Sequence, residues 1–165
     1  MIKTNKFLYL LLFTLPFYFS FNSAFHLNQF SYQTNKHNVQ ISTGLKFINN
    51  YVKKSDTENI EIEKYIASSK LVSKDFKTNF RNLMNDAYKN DPEMGLGFDP
   101  IFDAQDFPEK GFELDSFDTE TGFLIVKGIG WNEFKVTMKL IKIEGNWFVD
   151  GCGVINIPEK KRSPR

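Results

Sequence analysis

The stretch that most constrains the fold is 134–157, which the sequence predicts to be two β-strands joined by a tight turn. Glu144 and Gly145 separate two runs of alternating apolar residues, and a two-residue turn needs the positive φ that glycine adopts freely. Side chains alternate between the faces of a strand with period two, so we expect one nearly apolar face to pack against a core. The opposed pairs on that face are Lys142/Trp147, Leu140/Val149, Met138/Gly151, Val136/Gly153 and Phe134/Ile155.

The opposite face of this hairpin is mixed. Lys139 and Asp150 face each other across it, and an exposed pair of this kind contributes about 0–1 kcal/mol to stability. Cys152 is the only cysteine, so no internal disulfide can form. A lone cysteine on a strand is typically a small buried residue. Moving the turn to Gly145-Asn146 would change the partners but leave both faces unchanged.

The first residues have the pattern of a secretory signal peptide. Lys3 and Lys6 precede an apolar run at 7–19, which is too short to span a membrane comfortably. We predict cleavage after Ala24, so that 1–24 is the signal peptide and the mature protein is periplasmic or secreted. An uncleaved membrane anchor is the alternative.

The mature chain is nearly neutral, with 19 basic residues against 20 acidic ones once the two N-terminal lysines are removed. This balance gives no electrostatic bias toward nucleic acid. We predict a flexible polar linker at 25–38, a single domain at 39–158 and a basic disordered tail at 159–165. Both histidines, His26 and His37, lie in the linker. The domain therefore has no histidine for a Ser-His or Cys-His nucleophilic site or for a His-ligated zinc site.

Helical periodicity predicts three helices at the start of the domain. The first covers 39–54, the second covers 58–68, and the third extends to Lys89 from a Ser73 cap. Gly44 weakens the first helix by about 1 kcal/mol relative to alanine, which indicates close packing against a neighbour. The apolar stripes that we expect to be core contain Ile41, Leu45, Phe47, Ile48, Tyr51, Val52, Ile62, Tyr65, Ile66, Val72, Phe76, Phe80, Leu83 and Ala87.

The second half of the domain is predicted to be an antiparallel sheet. A strand at 111–118, with Phe112 and Leu114 inward, precedes a strand at 123–130 that is apolar on both faces and therefore central. The hairpin completes the meander. Three helices followed by such a meander define an α+β fold, in which the helices pack on one face of a curved antiparallel sheet.

Two glycines on the inner face of the hairpin indicate a ligand pocket. Gly151 and Gly153 stand opposite bulky partners, where glycines let a sheet bend and leave space above it. We expect Met138, Trp147 and Val149 to line this pocket together with the two glycines.

The outward face offers a second candidate surface. Trp131, Ile141 and Phe148 are predicted to lie there and to form a partner-binding patch. Further core beneath a tail or loop is the alternative for these residues. Oligomerisation through the sheet is compatible with the same surface.

Three carboxylates cluster in the long connection at 90–110: Asp99, Asp103 and Asp106. Three roles remain open for them. One could be a general base with a burial-raised pKa, or they could bind calcium, although the spacing is not that of an EF-hand loop. In the structural role, which we expect, Asp99 caps a single buried turn at 100–106. We predict no metal and no cofactor.

Two segments resemble the nuclear transport factor 2-like cone fold, the superfamily of ketosteroid isomerase and scytalone dehydratase. They are the sequence EGNWFVD at 144–150 and the sequence FDAQD at 102–106. The closer resemblance is to an exported bacterial branch of unknown activity, domain of unknown function 3828, and it covers about 39–158. It implies a cone-like curved sheet. Catalytic residues of the two enzymes do not carry over, since the dehydratase-type histidine and a matching Tyr/Asp pair are missing.

Two classes of function follow. The first is a non-catalytic exported binding domain that holds a small apolar ligand in the cone or a protein on the sheet, for example an immunity protein that neutralises a toxin. The second is a cofactor-free lyase or isomerase that uses a pocket carboxylate. An apolar pocket with capped aspartates favours binding; a pocket with unpaired carboxylates favours the enzyme.

Overall fold

The computed structural model of the chain describes residues 22–55 and 62–164, with side chains from residue 39 onward. The chain divides into two units, Met1–Thr34 and Asn35–Arg165, and the packing reported below belongs to the second. Most of the predicted signal peptide at 1–24 lies outside the described residues. None of the described helices is both long and apolar enough to cross a membrane.

Three helices come first, as predicted, but the first is longer than its apolar stripe. They are α1 (Asn22–Ser55), α2 (Ile62–Ser68) and α3 (Lys74–Asn90). Residues 25–38, predicted to be a flexible linker, are instead helical within the bounds of α1. This segment contains no proline or glycine to stop a helix, and extending an existing helix costs much less than starting one.

The packed part of α1 lies on the sheet through the predicted stripe. Phe47, Ile48 and Tyr51 are fully or almost fully buried. Gly44 is also buried, and a Cβ added there would overlap Leu124 Cδ2 on the inner face of the sheet. The close packing predicted for this glycine is therefore confirmed. Its missing side chain lets the helix backbone approach the sheet.

The start of α3 is fixed by the predicted cap. Ser73 Oγ accepts a hydrogen bond from the Phe76 backbone N–H at 3.0 Å, which satisfies one of the unpaired donors at the helix start. Phe76 and Phe80 are buried, whereas the stripe weakens toward the C-terminal end, where Tyr88 is exposed. The fully buried side chains of α3 therefore lie in its first half, and Leu83 and Met84 pack against the core while partly exposed.

The sheet has four antiparallel strands in the order of the chain. They are β1 (Phe112–Phe117), β2 (Phe123–Gly128), β3 (Trp131–Ile143) and β4 (Asn146–Cys152). The predicted α+β class, the meander and the central position of β2 are confirmed. The inner face and the helices share one core cluster. The sheet residues in it include Leu124, Val126, Val136, Met138, Leu140 and Val149.

The hairpin turns at Glu144-Gly145, but its register changes partway along. Lys142 pairs with Trp147 and Leu140 pairs with Val149, as predicted. A bulge follows, so that Met138 pairs with Cys152 and Lys139 with Gly151. The other predicted pairs, and the predicted Lys139–Asp150 ion pair, are wrong because one extra residue in β4 shifts the register beyond this point.

The extra residue, Asp150, contacts the helical layer. Its Oδ1 accepts a hydrogen bond from Ser73 Oγ at 2.5 Å. The backbone joins the same two regions, because Ser73 N–H donates to the Val149 carbonyl at 3.0 Å and Val149 N–H donates to the Leu71 carbonyl at 2.9 Å. The bulge therefore gives the start of α3 a charged acceptor, and residues 71–73 cover the edge of β4.

The edge strand β1 also carries an irregularity. Its pairing with β2 shifts between Leu114 and Ser116. Phe112 is buried as predicted, but Leu114 is 40% exposed although it pairs with the buried Val126. Leu114 therefore lies on the predicted inner face. It is not buried, because β1 is the edge strand of the sheet.

The end of the chain is ordered and crosses the outer face of the sheet. A short 3₁₀ helix at Glu159–Lys161 is followed by Arg162, whose Nε donates to the Ile157 carbonyl at 3.1 Å. Ser163 Oγ lies 3.0 Å from Thr137 Oγ1, and Thr137 is buried. The predicted disordered tail at 159–165 is therefore structured through residue 164, because it has hydrogen-bond partners on the sheet.

Candidate binding surface

The predicted inner pocket is filled by the protein itself. Met138 and Val149 are fully buried in the core, and Trp147 is half-buried against it. A Cβ added at Gly151 would lie 2.7 Å from Ile157 Cδ1. Because the bulge moves Gly151 to the face of Lys139, this contact covers the outer side of β4. The inner face is filled by Met138, Val149 and Ile155 of the core cluster, so the space predicted for a ligand there is occupied by side chains.

Gly153 allows the closest of these contacts. It has a φ of 59°, and a Cβ there would overlap the carbonyl oxygens of Pro100 and Ile101. Its N–H donates to the Thr137 carbonyl at 3.1 Å, and the next N–H, of Val154, donates to the Pro100 carbonyl at 2.9 Å. The glycine thus joins the end of β4 to the turn at 100–101 instead of opening a cavity.

Asp99 has the predicted structural role. Its Oδ1 accepts hydrogen bonds from the backbone N–H groups of Ile101 at 2.8 Å and Phe102 at 3.0 Å. Its Oδ2 accepts a hydrogen bond from the Tyr51 hydroxyl at 2.7 Å. The carboxylate therefore caps the turn and also ties it to α1.

Burial raises the pKa of both members of this pair. The pKa of Asp99 is raised by desolvation, an effect that hydrogen bonds from Tyr51, Phe102 and Ile101 partly offset. The pKa of Tyr51 is raised well above its usual value by desolvation and by the negative charge of Asp99. A raised carboxyl pKa is a property of general bases, but all three hydrogen bonds to Asp99 come from groups that hold the turn together.

The other two aspartates do not join Asp99 in a site. Asp103 is half-buried with a φ of 56°, and Asp106 is exposed. Within the described part of the chain, no group of three or more His, Cys, Asp or Glu side chains is arranged to hold a metal ion. The three predicted carboxylates are near neighbours in sequence but do not form a joint binding site.

Cys152 is buried, as predicted, although on the inner face instead of the outer one. Its Sγ lies 3.5 Å from the Ile101 carbonyl oxygen, to which the thiol donates a weak hydrogen bond. The bulge at Asp150 explains the change of face, because one extra residue reverses the alternation for the residues after it.

We expect Cys152 to react slowly with thiol reagents in the native protein, because a reagent cannot reach a fully buried sulfur without local unfolding. Labelling with a maleimide, followed by intact mass, should be complete within minutes in concentrated urea and slower by orders of magnitude without it. Rapid labelling of the native chain would contradict the burial of this side chain.

The predicted partner patch is divided by the structure. Ile141 and Phe148 are paired on the outer face of the sheet, where both are half-buried. Trp131 lies at the other end of β3, where its ring packs 4.9 Å from that of Phe134. Trp131 and Ile141 are ten positions apart along an extended strand, so the three side chains do not form one patch.

A broader apolar surface occupies the outer face instead. Phe123 pairs with Lys139 and Ile125 pairs with Thr137, so their side chains share a face with Ile141 and Phe148. Phe123 and Ile141 are diagonal neighbours on adjacent strands. We call Phe123, Ile125, Ile141 and Phe148 the outer apolar surface; all four are half-buried.

Two lysines stand over the centre of this surface. Lys139 Nζ lies 4.8 Å and Lys161 Nζ 5.6 Å from the centroid of the Phe123 ring. Lys139 also donates a hydrogen bond to the Thr121 carbonyl. A cation over an aromatic face is attracted by the ring quadrupole, so both ammonium groups are held close to the apolar surface.

Beside these lysines is a groove of about 290 Å³, which we call the outer groove. The end of β1, the β1–β2 turn, the middle of β2 and β3, and the 3₁₀ helix contribute to it. Its lining consists of Ser116, Phe117, Asp118, Thr121, Phe123, Ile125, Thr137 and Lys161. A second groove of about 600 Å³ is lined by residues of α2 and α3, among them Met84 and Tyr88.

The sequence contains one signal for this surface that the patch prediction did not use. Alternate residues of β2, Phe123 and Ile125, are apolar on the face away from the helices. An apolar outer face on a central strand indicates an additional contact. Lys161 could not be placed from sequence, because nothing near it marks where the end of the chain packs.

Comparison of the chain with known proteins gives no match to a protein family, to a curated protein or to a solved structure.

Proposed function

We propose that this domain is an exported, non-catalytic binding domain that docks a protein partner on its outer apolar surface. The observation that carries the proposal is the half-buried state of Phe123, Ile125, Ile141 and Phe148 on a sheet face away from the helices. Contiguous apolar groups on a soluble domain commonly mark an interaction site. A ligand on the inner face is disfavoured, because core side chains and the segment after β4 occupy that space.

The chemistry of this surface suits a protein more than a small apolar molecule. The surface extends over three strands and is only partly covered by the end of the chain, whereas small-molecule sites enclose most of their ligand. Its centre is an aromatic ring with cations above it, and aromatic residues are enriched at the centre of protein interfaces. A toxin-neutralising immunity protein is one version of such a domain, and a nuclear transport factor 2-like cone fold is the family assignment we propose with it.

The lyase or isomerase alternative has less support. Asp99 is the carboxylate whose pKa is raised by burial, as a general base requires. It lines neither of the two described grooves, and both of its oxygens accept hydrogen bonds from the turn or from Tyr51. A substrate would have to break those bonds to reach it.

Site-specific photo-crosslinking tests the proposal. Replacing Phe148 with p-benzoylphenylalanine puts the reactive group on the outer apolar surface, and the same replacement at Tyr88 provides a control at an exposed aromatic position on α3. We expect one dominant protein adduct from position 148 and none from position 88. Mass spectrometry of the adduct then identifies the partner.

Binding of the purified partner to the full chain completes the test. Ile141→Glu should weaken the affinity by about tenfold or more, the loss expected when a charge replaces an apolar contact near the centre of an interface. Met84→Glu, in the groove of α2 and α3, should leave the affinity unchanged. An adduct from position 88 alone, or equal affinity for Ile141→Glu and the unmodified chain, would overturn the proposal.

A further inference from the structure

We infer that the outer groove is the anchor pocket for this partner and that it takes an acidic side chain together with an adjacent apolar one. The inference rests on the proposed docking of a protein on the outer apolar surface. It adds the chemistry of the partner: a protein segment in which a glutamate or aspartate stands beside an aliphatic or aromatic residue.

The apolar part of the pocket is formed by the sheet. Phe123 and Ile125, on the outer face of β2, form this wall. Phe117 also borders the groove, but it pairs with Leu124 and packs against the inner core. At about 290 Å³ the groove is near the lower limit of typical ligand pockets, which run from about 300 to 1,000 Å³. A space of this size suits one or two side chains better than a larger ligand.

The cationic part comes from Lys139 and Lys161. Other lysines on the outer face have carboxylate partners: Lys127 lies 3.4 Å from Glu113, and Lys135 lies 2.9 Å from Asp115. Among the described residues no such ion pair involves Lys139 or Lys161, whose ammonium groups instead lie over the Phe123 ring. The charge of Lys161 contributes to lowering the pKa of Asp118 in the same groove, so one of the two lysines has a nearby counter-charge and an acidic partner would supply the second.

Asp118 is the one acidic residue in the lining, and its own turn holds it. Its Oδ1 accepts from the N–H groups of Glu120 at 2.9 Å and Thr121 at 3.2 Å, and its Oδ2 accepts from Thr121 Oγ1. These hydrogen bonds lower its pKa, so it stays ionised at neutral pH. Lys139 is outside the lining but lies over the Phe123 ring at its edge. Together with Lys161 it sets two ammonium groups against one carboxylate, which leaves one net positive charge and favours an anion.

The position of Lys161 depends on the ordered end of the chain. The Arg162 Nε bond to the Ile157 carbonyl and the contact of Ser163 with Thr137 hold the 3₁₀ helix against the sheet. The hydroxyl of Ser116 in the lining gives a bound carboxylate a further donor, whereas the hydroxyls of Thr121 and Thr137 already contact Asp118 Oδ2 and Ser163 Oγ. The groove thus combines an apolar wall, two nearby cations and one hydroxyl donor.

A pair of capped dipeptides tests this chemistry without the natural partner. N-acetyl-Glu-Leu-amide and its neutral analogue N-acetyl-Gln-Leu-amide are titrated into the full, ¹⁵N-labelled chain at low ionic strength. We expect millimolar binding of the acidic peptide, about fivefold tighter than that of the neutral one. Amide shifts should centre on Thr121, Phe123 and Thr137.

Two charge-neutralising variants provide the matched comparison. Lys161→Gln should abolish the preference for the acidic peptide. Lys142→Gln should leave it unchanged, although Lys142 also lies over an aromatic ring, that of Trp147, at 6.0 Å and outside the groove lining. Comparison of this pair separates a specific cation from a general change in net charge.

The inference is overturned if the two peptides bind equally, if neither binds at ten millimolar, or if Lys142→Gln removes the preference as Lys161→Gln does. In each case the crosslinking experiment at position 148 would still test, independently, whether a protein docks on the outer apolar surface. Selective binding of the acidic peptide without such an adduct would mean an anion site and no docked protein, which contradicts the inference as well.

Discussion

Gly153→Ala should destabilise the domain by about 2–5 kcal/mol, a large effect for a substitution that adds a single methyl group. A left-handed φ costs a residue with a Cβ about 1–2 kcal/mol, and Gly153 has a φ of 59°. The new methyl would also meet the Pro100 and Ile101 carbonyl oxygens. These are backbone atoms that cannot rotate away, and overpacking of this kind costs about 1–3 kcal/mol.

Gly145→Ala is the control for this effect. Gly145 has a φ of 87°, but nothing lies within 4 Å of a Cβ built there. We expect it to lose only the backbone contribution, about 1–2 kcal/mol. Urea unfolding of both variants with a common slope gives the two free energies. Equal losses would mean that the contact with 100–101 does not constrain the fold.

Asp99→Ala should cost about 2–4 kcal/mol. Loss of a capping acceptor typically costs about 0.5–2 kcal/mol, and a buried hydroxyl that loses its partner costs about 1–3 kcal/mol. Asp99 serves both groups, since it accepts from the turn backbone and from Tyr51. Asp99→Asn should recover most of the loss, because its side-chain oxygen can still accept the two backbone hydrogen bonds.

The difference in stability between Asp99→Asn and the unmodified chain should depend on pH. Burial raises the folded-state pKa of Asp99, so the folded chain holds this proton at higher pH than the unfolded chain does. The stability that the protonated group contributes is therefore complete below the unfolded pKa of about 4 and is lost as pH rises through the folded pKa. The stability of Asp99→Asn relative to the unmodified chain should increase over that window.

A double-mutant cycle with Tyr51→Phe identifies the partner. If Tyr51 and Asp99 act through their shared hydrogen bond, the loss from Tyr51→Phe combined with Asp99→Ala should be smaller than the sum of the separate losses. Additive losses would contradict the coupling. A flat pH difference between Asp99→Asn and the unmodified chain would contradict the raised pKa.

Local chemistry was predictable from the sequence. The cap of α3 needs only Ser73 and an N–H three residues later, and Asp99 caps donors two and three residues away. The turn at Glu144-Gly145 follows from a glycine between alternating runs. In each case the atoms that bond are close in sequence, so the pattern contains both partners.

Contacts between distant segments were not predictable. The bulge at Asp150 has its hydrogen-bond partner 77 residues away, at Ser73, and nothing in the strand sequence marks an extra residue. The same shift moved Cys152 to the inner face and separated Lys139 from its expected partner. The inner pocket failed for a related reason: glycines that could leave space could equally admit the segment after β4, and only packing distinguishes the two.

The outer groove is formed partly by residues close in sequence and partly by residues from distant segments. The alternation in β2 was enough to place Phe123 and Ile125 on the outer face, but not to tell what stands over them. Lys161 reaches Phe123 from 38 positions further along the chain, through a segment whose composition predicts disorder. The apolar wall was therefore within reach of sequence analysis, whereas the cations above it were not.

The bonds between residues 71–73 and Val149 bear on the order in which the chain folds. A protein is synthesised from its N-terminus, so the apolar stripes of the helices emerge before the sheet that buries them. Closing the hairpin at Gly145 needs only a short loop, whereas joining Ser73 to Asp150 closes one of 77 residues, and loop closure costs more entropy as the loop lengthens. We expect the last-made strands to form first and the first-made helices to dock last, so that Phe47 and Phe76 stay exposed until the sheet is complete.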